Sequence, residues 1–112
     1  MKKVEAIIRT SKFDDVVEGL ENAGIRFFTY TEVNGHGMEK SDEIVYRGVP
    51  YDAGYIPRQK IEVVIKDSDL DKVTKVIIDN AQTGKIGDGK IIITEVSQFL
   101  RIRTGQSSED AL

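Results

Sequence analysis

The chain begins with the stretch KVEAIIR (residues 3–9), and the same pattern returns as KIEVVIK (residues 60–66). In the first copy, Val4, Ala6 and Ile8 alternate with charged or outward-facing positions, which is the period of a strand with one buried face. A repeat at constant spacing indicates two structurally related halves. The two stretches therefore predict two equivalent strands, one opening each half of the chain.

A helix is predicted after each of these strands. Apolar residues recur at helical spacing from Phe13 to Leu20, and matching residues follow the second strand. Ser11 and Ser68 are predicted to cap the two helices, since their hydroxyls can accept hydrogen bonds from free backbone amides. Gly24 suits the end of the first helix. Each half then reads as strand, helix, strand.

Residues 1–112 are predicted to form a single α+β domain. Two strand–helix–strand halves of this length most economically make a ferredoxin-like sandwich, in which a four-stranded antiparallel sheet is covered on one face by two helices. The other sheet face is left uncovered. We expect that face to be buried against copies of the chain or against a ligand.

Composition excludes several classes of protein. The sequence contains no cysteine, which removes disulfides, thiolate metal sites and cysteine nucleophiles. The formal net charge of −3 gives no bulk attraction to nucleic acid or to an anionic membrane. No apolar run is long enough for a signal peptide or a membrane span. These features predict a cytoplasmic protein that neither binds nucleic acid nor inserts into a membrane.

A glycine-rich stretch, TGKIGDGK (residues 83–90), lengthens the second half relative to the first. Its glycines allow positive φ angles and its lysines add positive charge, which together favour anion binding. The spacing is not that of a Walker loop. An ordinary Gly-Asp-Gly turn leading into the last strand explains the same residues.

Arg101 and Arg103 alternate after the last predicted strand and are expected to point the same way. Two guanidinium groups so placed would suit a phosphate, although alternating arginines on a solvated edge fit the pattern as well. The polar, acidic tail at residues 106–112 is predicted to stay disordered until a ligand or partner orders it.

The connection between the halves, residues 34–59, is far longer than usual, and such loops are typically functional or disordered. Its start contains Gly35, Gly37 and Glu39, which would offer backbone amides and an oxygen ligand for Mg²⁺, or would simply form a hinge. His36 is expected to be exposed to solvent. The aromatic and arginine residues that follow suit a partner-binding loop, or they cluster locally.

Four stretches together resemble the PII family of nitrogen and carbon signalling proteins, and the resemblance extends from Met1 to about Gly105. They are KKVEAIIR (residues 2–9), TEV with Gly35 and Gly37 (residues 31–37), AQTGKIGDGK (residues 81–90) and RIRTG (residues 101–105).

The resemblance implies a homotrimer that binds ATP or ADP, with Mg²⁺ accompanying ATP, in clefts between subunits. It implies a long T-loop at about residues 36–56, a phosphate-binding B-loop at about residues 82–90 and a C-terminal segment at about residues 101–112. The implied nucleotide-binding residues are Ile7, Thr29, Gly35, Gly37, Met38, Glu62, Val64, Gly87, Asp88, Gly89, Lys90, Arg101 and Arg103.

The resemblance also implies a site for 2-oxoglutarate at the base of the T-loop, formed by Arg9, Glu39, Lys40 and Arg58, with Glu39 as the Mg²⁺ ligand. This site departs from the family pattern. Met38 replaces a usual arginine, Glu39 replaces a glutamine, and Arg58 replaces a lysine. The extra negative charge of Glu39 should weaken binding of the dianionic 2-oxoglutarate.

The modification site of relatives corresponds to Tyr51, which here follows Pro50. We therefore interpret Tyr51 as a partner contact, with nucleotidylylation as the alternative. Val49 occupies the family's serine phosphorylation position, which excludes that switch at this residue.

The sequence thus predicts a signalling module and not an enzyme. Its partners by resemblance are an ammonium transporter, glutamine synthetase or its regulators, or a transcriptional regulator. Two alternatives are kept: a diverged adenylate sensor that does not respond to 2-oxoglutarate, and a weak nucleotide-hydrolysing enzyme using Lys90, Arg101 and Glu39.

Overall fold

The computed structural model describes residues 1–36, 44–46, 49–51 and 55–112. The strands and helices, in chain order, are β1 (Lys2–Arg9), α1 (Phe13–Asn22), β2 (Thr29–Gly35), β3 (Ile44–Tyr46), β4 (Val49–Tyr51), β5 (Ile56–Ile65), α2 (Leu70–Ala81) and β6 (Lys90–Glu95).

The main sheet has four antiparallel strands in the order β2-β5-β1-β6. Helices α1 and α2 pack on one of its faces, and the core between the layers is built from the alternating apolar residues of β1 and β5 together with the apolar stripes of both helices. Val4, Ala6 and Ile8 are all buried. The predicted α+β, ferredoxin-like arrangement is confirmed.

The predicted serine caps are wrong. Short 3-10 turns, Thr10–Lys12 and Asp67–Asp69, join each strand to its helix, so that Ser11 and Ser68 lie inside the turns. The helices begin after Lys12 and Asp69, and neither residue makes a side-chain cap hydrogen bond. Because the turns use backbone carbonyls to satisfy amides at the helix start, no serine hydroxyl is required.

Gly24 terminates the first helix, as predicted, and lies directly after the C-cap residue Ala23. Gly24 has a φ of +86°, its amide donates to Glu21 O at 3.0 Å, and the amide of Ile25 donates to Leu20 O at 2.9 Å. These two bonds form a Schellman motif, which requires a left-handed residue at this point.

Two short strands lie in the long connection between the halves. β3 and β4 form a separate two-stranded sheet in which Ile44 pairs with Tyr51. Sequence patterns did not predict this hairpin. The predicted ligand residues Gly37, Met38, Glu39 and Lys40 lie outside the described residues.

The tail is folded back on the molecule, so the prediction of disorder at residues 106–112 is wrong. Ser108 donates its amide to Phe99 O at 2.7 Å, and Ser108–Ala111 form a 3-10 turn. Ala111 is only 5% exposed. Such contacts join the tail to residues outside it, including Phe99 and Arg101, which is why the local polarity of residues 106–112 did not reveal them.

The second face of the main sheet carries no helix among the described elements. It alternates charged and apolar residues, with ion pairs between Lys3 and Glu5 at 2.7 Å and between Lys60 and Glu62 at 3.0 Å. Ile92, which pairs with Glu5, lies on this face. We call this second face of the main sheet the open face.

Among the described helices, none has the length and hydrophobicity of a membrane span.

Candidate functional site

The B-loop joins α2 to β6 and is shaped by glycines at positive φ. Gly84, Gly87 and Gly89 have φ values of +84°, +104° and +96°. A Cβ atom at Gly89 would lie 1.7 Å from the carbonyl oxygen of Ile7, so the loop passes against the backbone of β1 at a distance that only glycine permits. The positive φ angles predicted for the glycines of this stretch are therefore observed.

The Asp88 carboxylate lies at the centre of the B-loop. Its Oδ2 accepts hydrogen bonds from the amides of Thr83 at 2.8 Å and Gly84 at 2.9 Å. Its Oδ1 accepts from the Thr83 hydroxyl and from Arg9 Nε at 3.1 Å. These partners, with the Thr83 hydroxyl contributing most, hold the pKa of Asp88 far below its ordinary value of 3.8.

The amides of Gly87, Asp88 and Gly89 are available as hydrogen-bond donors. They donate to no other group in the described part of the chain. Lys90 begins β6 directly beside them. Successive backbone amides at alternating left-handed positions form a concave anion site, and a neighbouring ammonium group strengthens it. This arrangement can bind a phosphate.

A second candidate region is an open cleft of about 970 Å³ at the other end of the sheet. Among its lining groups the cations Lys3, Arg26, Lys66, Arg101 and Arg103 outnumber the carboxylates of Glu62 and Asp69. Such a balance favours an anionic ligand. The cleft brings together five of the predicted nucleotide-binding residues: Thr29, Glu62, Val64, Arg101 and Arg103.

The two arginines of this cleft lie in a turn and not on an extended strand, so the predicted strand-like alternation is wrong. Arg101 is held by the tail: its Nη2 donates to Ala111 O at 3.1 Å and its Nη1 to Gln106 Oε1 at 3.2 Å. Arg103 makes no such bond to a described residue. Both side chains nevertheless line the same cleft.

The B-loop and the cleft lie at different corners of the sheet. Lys90 pairs with Ile7 near the end of β1, whereas Val64 of the cleft pairs with Lys3 near its start. Ile7 and Lys3 are four residues apart on β1, which corresponds to about 13 Å along the strand. Val64 is also two strands away from Lys90 across the sheet. A single chain therefore does not bring Lys90 together with Arg101 and Arg103.

The residues predicted to bind 2-oxoglutarate are partly described. Arg9 and Arg58 are direct partners across β1 and β5. Arg9 Nη2 donates to Ile86 O at 2.8 Å, so this residue joins the B-loop to the base of the T-loop. Gly35, a predicted nucleotide contact, lies at the nearby end of β2 opposite Ile56.

The chain matches a known protein family over most of its length. The model of the family "Nitrogen regulatory protein P-II" matches residues 1–106. Relatives named nitrogen regulatory protein P-II from Pasteurella multocida and Haemophilus influenzae are 47% and 48% identical over 112 residues, covering the full length of both chains. Nitrogen regulatory protein P-II 1 of Escherichia coli is 46% identical over the same length. The chain belongs to the P-II family.

The P-II family match includes the B-loop and both cleft arginines, and it ends inside the tail. The relatives are named as regulatory proteins. This P-II chain is accordingly a signal-transduction protein and not an enzyme, as the sequence predicted. The names of these relatives give no support to the hydrolytic alternative.

Several site residues of this P-II chain were missed by sequence reasoning. Lys3, Arg26, Lys66 and Phe99 line the cleft, and Thr83 organises the B-loop. Arg26 and Phe99 reach the cleft from different parts of the chain, and no local pattern signals such an encounter. Thr83 carried a usable signal, because a threonine before a Gly-rich turn can bond an acidic residue within it.

Proposed function

We propose that this protein is a homotrimeric nucleotide sensor whose ATP or ADP sites lie between subunits. The B-loop of one subunit, with Lys90, supplies backbone amides to the phosphates. The cleft of the next subunit supplies Arg101 and Arg103. The observation that carries the proposal is that one chain holds two regions suited to an anion, the B-loop and the cleft, at separate corners of its sheet.

The trimer itself is supported by the open face. A domain of 112 residues has a small core, so association is a natural source of stability. Ile92 is 40% exposed on that face. Burying the open faces of three subunits around a common axis would cover such residues and place each B-loop beside a neighbouring cleft.

Nucleotide binding would signal through the T-loop, at about residues 36–56. The end of β2 and the start of β5 carry the T-loop, and Arg9 links the B-loop to this base. A ligand that favours one T-loop conformation changes partner affinity by its differential binding free energy. The proposed partners are proteins of nitrogen metabolism: an ammonium transporter, glutamine synthetase or its regulators, contacted partly through Tyr51.

We assign Mg²⁺ and 2-oxoglutarate to the same T-loop base as additional effectors of ATP binding. Arg9 and Arg58 supply positive charge there, and Glu39 and Lys40 complete the predicted set. The described residues contain no cluster of three metal-ligating side chains, and Glu39 lies outside them. A carboxylate at residue 39 would ligate Mg²⁺ but repel a dianion.

The shared site is tested by subunit complementation. Lys90→Ala damages the B-loop half and Arg103→Gln the cleft half, so each homotrimer is expected to lose ATP binding in isothermal titration. After the two variants are unfolded together and refolded, random mixing should restore about one quarter of the sites, since those combine two intact halves. A site within one chain would recover nothing, because every chain carries one lesion.

The second candidate is an adenylate sensor that ignores 2-oxoglutarate, and Glu39 and Met38 favour it. Mg-ATP titration with and without 2-oxoglutarate distinguishes the two functions. In a carbon and nitrogen sensor, 2-oxoglutarate tightens ATP binding. In an adenylate sensor it has no effect, and Glu39→Gln should restore the response if the carboxylate causes the loss.

A further inference from the structure

The Asp88 carboxylate has no acceptor position left for a ligand. A carboxylate offers about four such positions. Here Oδ2 accepts from two amides, those of Thr83 and Gly84, and Oδ1 accepts from the Thr83 hydroxyl and Arg9 Nε. The side chain therefore faces into the loop.

We propose that Asp88 is a positioning residue of the phosphate site, and this inference rests on the proposed nucleotide-binding function. Its carboxylate closes the B-loop around itself by bonding Thr83 and Gly84 at one end of the loop. The amides at the other end, from Gly87 to Gly89, are thereby held in one orientation, toward the phosphates. Asp88 does this without touching the nucleotide through its side chain.

An acidic side chain beside a phosphate site would ordinarily repel the ligand. Arg9 offsets this charge, since its guanidinium contacts Asp88 at 3.1 Å and also donates to Ile86 O at 2.8 Å. Arg9 thus anchors the loop at two points from β1. The positioning unit consists of Asp88, Thr83 and Arg9, and it leaves Lys90 available to the ligand.

Asparagine cannot replace this carboxylate. The Asp88→Asn side chain keeps one acceptor oxygen, while its NH₂ group would face donors that need an acceptor. Depending on the orientation of the new amide, either the Thr83 and Gly84 amides or Arg9 Nε would then lose its acceptor, whereas the Thr83 hydroxyl could turn to accept from the NH₂ group. Losing a hydrogen bond to a charged group commonly costs enough to change an equilibrium by tenfold or more, at an order of magnitude.

The test compares ATP with adenosine, which lacks phosphates. ATP affinity is measured by isothermal titration, and adenosine affinity by ligand-observed NMR. In Asp88→Asn, ATP affinity is expected to fall about tenfold or more while adenosine affinity stays unchanged. Asp79→Asn is the matched control, because Asp79 forms an exposed ion pair with Lys75 on α2 and makes none of the B-loop hydrogen bonds. It should change neither affinity.

Thr83→Val is a second variant in case Asp88→Asn does not fold. It removes one hydroxyl at nearly constant shape and should lower ATP affinity in the same direction by a smaller factor. Unchanged ATP affinity in both variants, or equal losses for ATP and adenosine, would overturn the positioning role alone. A wild-type protein that binds no ATP would instead overturn the proposed function, and this role with it.

Discussion

Gly84 and Gly89 occupy the same left-handed backbone region but have different surroundings. At Gly84 an added Cβ atom would meet nothing within 4 Å, whereas at Gly89 it would lie 1.7 Å from Ile7 O. Gly84→Ala should therefore cost only backbone strain, about 1–2 kcal/mol in the free energy of unfolding. Gly89→Ala should cost about 3 kcal/mol or more, since the strand contact is also lost.

The free energy of unfolding of both variants is measured by urea denaturation at one fixed protein concentration. Equal losses at the two glycines would show that the contact between the B-loop and β1 is not a constraint on the fold.

Asp88 also makes stability depend on pH. Its hydrogen bonds favour the ionised carboxylate, so its folded-state pKa lies below the ordinary 3.8. The stabilisation is complete above that value and is lost progressively as pH falls below it, because the unfolded state then binds a proton that the folded carboxylate does not hold, and folding must release it. The stability difference between wild type and Asp88→Asn should be full at about pH 7 and smaller at about pH 3.

Comparing the two proteins isolates this residue from other carboxylates. Lys3 lowers the pKa of Glu5, and the chain's amino terminus lowers that of Asp67, so wild type is expected to lose stability in acid for several reasons. Urea midpoints at both pH values provide the measurement. A difference that stays constant with pH would contradict the assigned bonding of the Asp88 carboxylate.

At the scale of elements, the C-terminal segment depends on Arg101. The Arg101 side chain donates to backbone and side-chain oxygens of the tail, including Ala111 O at 3.1 Å. Arg101→Gln removes these donors, and amide hydrogen exchange across residues 106–112 should accelerate about tenfold or more. Arg103→Gln is the matched control. If amide exchange of the tail were as fast in Arg103→Gln as in Arg101→Gln, Arg101 would have no specific role in holding the tail.

The elements were predictable to different degrees. The strands and helices follow from the repeat, because the alternation in KVEAIIR and the helical spacing after it are local patterns that directly reflect burial. The serine caps were mispredicted because backbone carbonyls of the local 3-10 turns take the place of the serine hydroxyls. The tail was mispredicted because its order depends on partners outside the tail, such as Phe99 and Arg101. Asp88 was predicted as a nucleotide-binding residue of the B-loop, but spacing does not show which way a carboxylate points.

At the scale of the whole molecule, the proposed trimer depends on the open face. Ile92 and Ile93 are adjacent on β6 and similarly exposed, at 40% and 44%, yet they point to opposite faces of the sheet. Ile92 pairs with Glu5 on the open face, and Ile93 pairs with the buried Val4 on the helix face. They form a matched pair for testing the trimer.

Ile92→Glu would place a charge inside the proposed trimer interface, where a buried unpaired carboxylate is strongly unfavourable. Light scattering after gel filtration should show wild type at three times the chain mass of 12.5 kDa and Ile92→Glu at that single mass. Because the B-loop and the cleft lie at separate corners of one chain, the dissociated variant should also lose ATP binding.

Ile93→Glu is the control: it should retain the trimer and ATP binding, at some cost in stability. If Ile92→Glu remained trimeric, or bound ATP normally as a monomer, the open face would not be the interface that completes the site.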